Sequence, residues 1–213
     1  MHGNTATRIV GALGQMIRHP RDGARWVVGA ARRQSPLELG LPWMSWGAID
    51  YLRATLRPGL RVLEWGGGGS TRFFLVLGCV VTTIESNDYW VDQIRSAAAD
   101  DGTAARLDIR YVPAETREPA HVARYIAAAA EGGPWDVVVV DGLEESYVSR
   151  VDCVKAIGAD AVARDGMIVL DDAWRSEYDV VPSLLPRYRR RIFKGLGPAR
   201  YGVTQTDVYL PLE

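Results

Sequence analysis

The chain is poor in the residues that most often build metal centres and nucleophilic triads. Its 213 residues include two cysteines and three histidines. Cys79 and Cys153 lie in apolar surroundings at no metal-ligand spacing, so they read as reduced core thiols. His2, His19 and His121 are scattered, which leaves a histidine-based metal site or triad without support. No apolar run approaches the ~18 residues that a spanning helix needs. The start lacks an apolar core followed by a small-residue cleavage site, so a cytoplasmic protein with no secretory signal and no transmembrane segment is expected. Net charge is −1, so bulk electrostatics gives no reason to expect nucleic acid. Repeats and low-complexity tracts are also missing.

What remains is an ordinary globular composition, 47% hydrophobic and 24% charged, at a length that suits one domain with a short extension. The charge is uneven. Residues 1–40 carry six arginines against Asp22 and Glu38, a local +4, and the rest of the chain is −5. Ile9, Val10, Leu13, Met16 and Ile17 recur at helical spacing, which predicts an amphipathic helix over 5–19. Pro20 interrupts it, and a second short helix is expected over 22–33. This basic arm (1–40) would pack on the domain or on a sister subunit, making a homodimer, or else lie on a membrane surface. The domain proper is expected over 41–213.

From Leu60 onward strand and helix signals alternate. Strands are expected at 61–65, 80–84, 107–112, 136–140 and 167–170. Helices are expected at 70–77, from Asn87 or Asp88 to about 99, at 119–130 and at 146–163. The fourth strand is all apolar after Asp136, the mark of burial on both faces in a parallel sheet. Residues 190–210 read as two antiparallel strands joined at Gly195-Leu196-Gly197-Pro198. The fold class is therefore α/β: a doubly wound, Rossmann-like, seven-stranded and mostly parallel sheet, with an antiparallel last strand and the N-terminal helical arm. Ligands in such sheets sit at the carboxyl ends of the strands. Five acids fall there: Glu64, Glu85, Asp141, Asp171 and Asp172.

The stretch at 61–72, RVLEWGGGGSTR, is the strongest local signal. A strand ends in Glu64 and runs into four glycines, which lets a charged ligand lie against backbone. A nicotinamide dinucleotide fits the first two glycines of G-x-G-x-x-G, but the third position is Thr71. Glu85, 21 residues after Glu64, suits a ribose diol in either class of cofactor. A carboxylate before the glycines would repel a pyrophosphate and attract a sulfonium and an amino group, which favours S-adenosylmethionine.

E-x-G-x-G-x-S at 64–70, the strand-end Glu85, WDVVVVDG and GMIVLDDAW together resemble the class I S-adenosylmethionine-dependent methyltransferases over roughly 40–213. The resemblance implies that Glu64, Gly66, Gly67, Gly68 and Ser70 bind the methionyl part. It places Glu85 and Ser86 at the ribose, Ala114 and Glu115 beside the adenine, and Asp141 at the cofactor's inner edge. Within that family the chain is similar to small metal-dependent O-methyltransferases, in D-G-x-x-x-x-Y and D-D most closely to macrocin-type and actinobacterial sugar enzymes. Asp141, Asp171 and Asp172 would then hold Mg²⁺, for which carboxylates are suitable hard ligands. The acceptor would be a small molecule, a saccharide or a glycosylated metabolite. Some of these enzymes carry a histidine as base three residues after the metal aspartate, a pattern from which this chain departs by having a carboxylate. Here that position is Glu144, with Glu145 as second choice, while Trp174 and Tyr147 would contact substrate. A metal-independent methyltransferase on a phenolic or other small acceptor, and an NAD-dependent oxidoreductase, stay open as alternatives.

Overall fold

In the computed structural model the described residues are 5–32, 34–158, 160–198 and 202–212. The chain begins with two helices, α1 (Thr5–Arg18) and α2 (Pro20–Arg32). Pro20 opens the second helix rather than preceding it, because a first helical residue has no use for the N–H that proline lacks. Arg33, the expected end of that helix, lies outside the described residues. The arm packs on the domain: the Arg25 guanidinium lies 5.0 Å from the centre of the Trp46 ring and 2.8 Å from Asp50.

The short α3 (Pro36–Leu39) and α4 (Trp46–Thr55) lead into β1 (Arg61–Trp65). Then follow α5 (Gly69–Val76), β2 (Val80–Glu85), α6 (Asp88–Asp100), β3 (Leu107–Tyr111), α7 (Pro119–Ile126) and β4 (Trp135–Val140). The chain continues through α8 (Arg150–Lys155), β5 (Val162–Leu170), α9 (Val181–Leu184), β6 (Tyr188–Gly195) and β7 (Thr204–Pro211). The seven strands form one sheet in the order β3-β2-β1-β4-β5-β7-β6. The first five are parallel, and β7 runs antiparallel to both β5 and β6. Strand order reverses between β1 and β4, which puts the switch-point crevice between those two strands.

The sheet is buried on both faces, as the apolar run of β4 predicts. Val138 and Val140 join Leu63, Trp65 and Tyr125 on one face. Val137 and Val139 join Val62, Leu52 and Phe74 on the other. The period-2 pleat alone produces this division.

The expected long helix at 146–163 is not formed. Glu145 and Val148 pair as an isolated bridge, and Ser149 caps α8 through a reciprocal bond pair with Asp152, at 3.2 Å each way. The helix ends at Lys155, and β5 starts five residues earlier than expected, at Val162 opposite Trp135. Between these points the Ala161 N–H donates to the Gly158 carbonyl at 3.0 Å, and the Trp135 N–H is taken by the Ala161 carbonyl at 2.8 Å.

Replacing the fully buried Leu63 with alanine should lower unfolding free energy by about 2–5 kcal/mol. Replacing Ile192, 53% exposed on β6, should change it by no more than about 0.5 kcal/mol. Urea denaturation of both variants checks this; equal losses would contradict the assignment of the core.

Candidate cofactor and acceptor site

A cavity of about 510 Å³ opens at the carboxyl ends of β1, β2, β4 and β5. Its donor half is built on the loop between β1 and α5. Leu63 and Trp65 face one core cluster, so the pleat sends Glu64 to the opposite face with Val62, beneath α5. There the Glu64 carboxylate is fully buried and accepts from Ser70 Oγ at 2.7 Å, from Thr83 Oγ1 at 2.8 Å and from Thr71 Oγ1. Burial pushes its pKa up to about 7, against the pull of the three hydroxyls. Glu64, expected at the methionyl group, is therefore behind the cavity wall, where it ties β1 to β2 and α5.

The glycines divide in the same way. At Gly66, with φ +81°, a Cβ would stand 2.6 Å from the Asp141 carbonyl oxygen. At Gly69 it would stand 2.1 Å from the Leu41 carbonyl oxygen. On their Cβ side these two glycines admit neighbouring backbone, while Gly66, Gly67, Gly68 and Gly69 all line the cavity. Of the four, Gly68 alone has open space where a side chain would go. Three of the loop's N–H groups are spent internally. Gly66 donates to Ile84 O at 3.0 Å, Gly67 to Glu85 Oε2 at 2.8 Å and Gly68 to Thr71 Oγ1 at 2.9 Å.

Glu85 lines the cavity at the end of β2. Besides the Gly67 N–H, its carboxylate accepts from the backbone of Ser86 at 2.8 Å and Asn87 at 3.0 Å. Burial raises its pKa, and the three N–H donors oppose that rise. The result is a rigid acidic acceptor at one wall, with Ser86 and Glu115 beside it. Ala114 is fully buried and off the wall. Ser70 reaches the wall while its hydroxyl is held by Glu64.

The acceptor half was only partly legible. Arg150, the first residue of α8, is 7% exposed and sits between the ends of β4 and β5. Its Nη2 lies 2.9 Å from Asp141 Oδ1, its Nη1 donates to the Asp171 carbonyl at 3.0 Å, and its Nε to the Gly142 carbonyl at 3.1 Å. Burial works against the charged guanidinium. Asp141, with Tyr178, Asp171 and Asp172, outweighs that cost and holds it above the ordinary arginine range. Asp171 is fully buried, and its carboxylate accepts from Thr206 Oγ1 at 2.7 Å. Asp172, at φ +54°, turns to Trp174 Nε1 at 3.2 Å and Arg175 Nη2 at 3.1 Å.

The expected magnesium set does not assemble. Among the described residues no three acidic, histidine or cysteine side chains are grouped to hold a metal. The donor chemistry explains why: each of the three aspartates faces a different donor, and the space between β4 and β5 holds a guanidinium.

Glu144 lines the cavity, and its Oε2 accepts from the Arg150 backbone N–H at 3.0 Å and from the Tyr178 hydroxyl. Glu145 is exposed and off the wall. Tyr147 packs against the core under Arg117, and Trp174 is occupied with Asp172, so neither lines the cavity. The aromatic walls are Trp43 and Trp90 instead. Arg150 was missed because an arginine inside an expected helix reads as a solvated charge, and Arg175 because it falls in the unassigned segment after the fifth strand. The signal available for Arg175 was its spacing of three from Asp172.

No protein-family profile and no curated protein matches the chain. Solved structures do. Cofactor-bound Rv0187 from MTB is 19% identical over 99% of both chains, with a TM-score of 0.56. A methyltransferase from Geobacter sulfurreducens is 17% identical over 77% of this chain and 75% of that one, at 0.55. TrmN from Thermus thermophilus is 14% identical over 76% of this chain, at 0.55, and the chain spans about half, 47%, of its length. At these identities the likeness establishes the fold, a Rossmann-like seven-stranded sheet shared with methyltransferases. An rRNA methylase from Streptococcus thermophilus also matches, so the fold leaves the acceptor open.

Glu64 yields a pH prediction. Its folded pKa is raised, so burial costs nothing below about pH 4.5 and costs progressively more as pH rises towards 7. Relative to Glu64→Gln, the wild-type protein should lose about 3 kcal/mol of stability between pH 4.5 and pH 8. Chemical denaturation of both proteins across that range checks it, and a difference independent of pH would contradict the assignment.

Proposed function

We propose that the chain is an S-adenosylmethionine-dependent methyltransferase acting on a hydroxyl of a small acceptor. The observation that carries this reading is the internal use of the loop N–H groups. A dinucleotide pyrophosphate is held by free backbone N–H groups at a glycine loop and helix N-terminus. Here Gly66, Gly67 and Gly68 donate to Ile84, Glu85 and Thr71, and the Glu85 carboxylate lies against the loop. Phosphate would meet a carboxylate wall, with three of the loop donors already taken. A ribose diol would meet an acceptor already fixed in place, and a cationic donor would meet favourable charge.

Bound S-adenosylmethionine would supply a sulfonium methyl group. Glu85 is positioned to accept from the ribose hydroxyls, and Glu115 to stand beside the base. Trp43 and Trp90 offer flat faces suited to the apolar side of a sugar ring. The methyl carbon would leave sulfur and join the acceptor oxygen. The hydroxyl proton would pass to Glu144, whose Oε1 accepts no hydrogen bond among the described residues. Holding acceptor and donor in line can supply about 7–11 kcal/mol of the barrier. Magnesium has no part in this reading, because the aspartates expected to hold it are engaged elsewhere. A saccharide acceptor would lay its apolar face on these indoles and present a hydroxyl to Glu144. Leu13 and Ile17 of α1 are 53% and 82% exposed, and this reading assigns them to contact between two copies of the chain.

Isothermal titration with S-adenosylhomocysteine should show one binding event per chain, with none for NAD⁺. Glu85→Ala should weaken that binding at least about tenfold, or about 1.4 kcal/mol. Binding of NAD⁺ without S-adenosylhomocysteine would overturn the reading.

A further inference from the structure

Proteins with several acids at one sheet edge must neutralise them, and a divalent cation is one means. This chain has another within the fold. Arg150 is nine-tenths buried, and all three guanidinium nitrogens donate to the ends of β4 and β5: to Asp141 Oδ1 and the carbonyls of Asp141, Gly142 and Asp171. The position is fixed by local chemistry. The Ser149–Asp152 capping box starts α8 immediately before Arg150, and Glu144 accepts the Arg150 N–H. A divalent ion would need several of these oxygens in a tight octahedron. It would also have to stand beside a fixed positive charge.

We infer that the Arg150 guanidinium takes the place of the expected divalent cation, holding the acceptor edge of the cavity together so that the protein binds its ligands without metal. It is a positioning residue. It fastens the 141–144 segment, which carries both the cofactor-side carbonyls and Glu144, to the end of β5. A lysine at this place would not substitute, because a point charge cannot reach acceptors on two strands in the planar spread that a guanidinium provides. The acceptor role of this edge rests on the methyltransferase reading, but the poor fit of these strand ends to a divalent ion does not.

Two measurements on the full chain test it. Mn²⁺ titrated into the wild-type protein should keep its free-ion paramagnetic resonance signal, and affinity for S-adenosylhomocysteine should be the same in chelator as in Mg²⁺. Arg150→Ala should bind S-adenosylhomocysteine about tenfold or more weakly. Guanidinium chloride, added well below denaturing concentration, should restore much of that loss, and Arg150→Lys should not. Stoichiometric loss of the Mn²⁺ signal that Asp141→Asn abolishes would overturn the inference, as would unchanged ligand affinity in Arg150→Ala. If Arg150→Ala fails to fold, the wild-type Mn²⁺ titration decides alone. Failure of S-adenosylhomocysteine to bind at all would sink the donor reading and leave the Mn²⁺ result to stand by itself.

Discussion

Negative charge gathered at one edge of a parallel sheet is the constraint around which this protein is organised. Five acids end four strands, and a buried carboxylate is costly unless it is bonded or paired. Each acid meets a different solution. Glu64 takes three hydroxyls, Glu85 takes three backbone N–H groups, Asp141 pairs with Arg150, Asp171 takes Thr206, and Asp172 takes an indole and Arg175. These choices decide which acids face the cavity. Glu85, Asp141 and Asp172 do, while Glu64 and Asp171 serve the fold behind it.

The donor half of the site follows from that division. Because Glu64 sits under α5, its hydroxyl partners pin the helix N-terminus, and Thr71 in turn accepts the Gly68 N–H. Because Glu85 accepts the Gly67 N–H, the end of β2 is fastened to the loop after β1. A glycine loop with three donors consumed and a carboxylate laid against it repels phosphate and suits a diol and a cation. The acceptor half is held by a different device, a guanidinium that joins two strand ends. The two halves meet at 141–142, where the Asp141 carbonyl limits Gly66 on one side and Arg150 bonds both carbonyls on the other.

Most of the architecture was legible in the sequence because it depends on period. Strand spacing, the buried run of β4 and the glycine loop all follow from alternation and turn chemistry. So does the direction of Glu64: it shares the parity of Val62, which faces α5. That clue was in the sequence and was outweighed by the family motif. Other features depend on long-range partners and leave no periodic trace. The Ser149-x-x-Asp152 spacing is a capping signal that was passed over in 146–163, whereas nothing local shows that Ala161 will bond Trp135 and lengthen β5. Asp141, Asp171 and Asp172 were expected to be a metal set because the resemblance to metal-dependent O-methyltransferases implied it. Asp171 finds Thr206, 35 residues beyond it, and Asp141 an arginine on the intervening helix, while Asp172 bonds its near neighbours Trp174 and Arg175.

The central claim is that this edge holds S-adenosylmethionine in an orientation fixed by Glu85. A crystal structure of the full chain with S-adenosylhomocysteine tests it most directly. The account predicts ribose hydroxyls on the Glu85 carboxylate, the base beside Glu115, and the sulfur turned towards Glu144 and Arg150. A ligand bound elsewhere, or one whose ribose is held by groups other than Glu85, would contradict it.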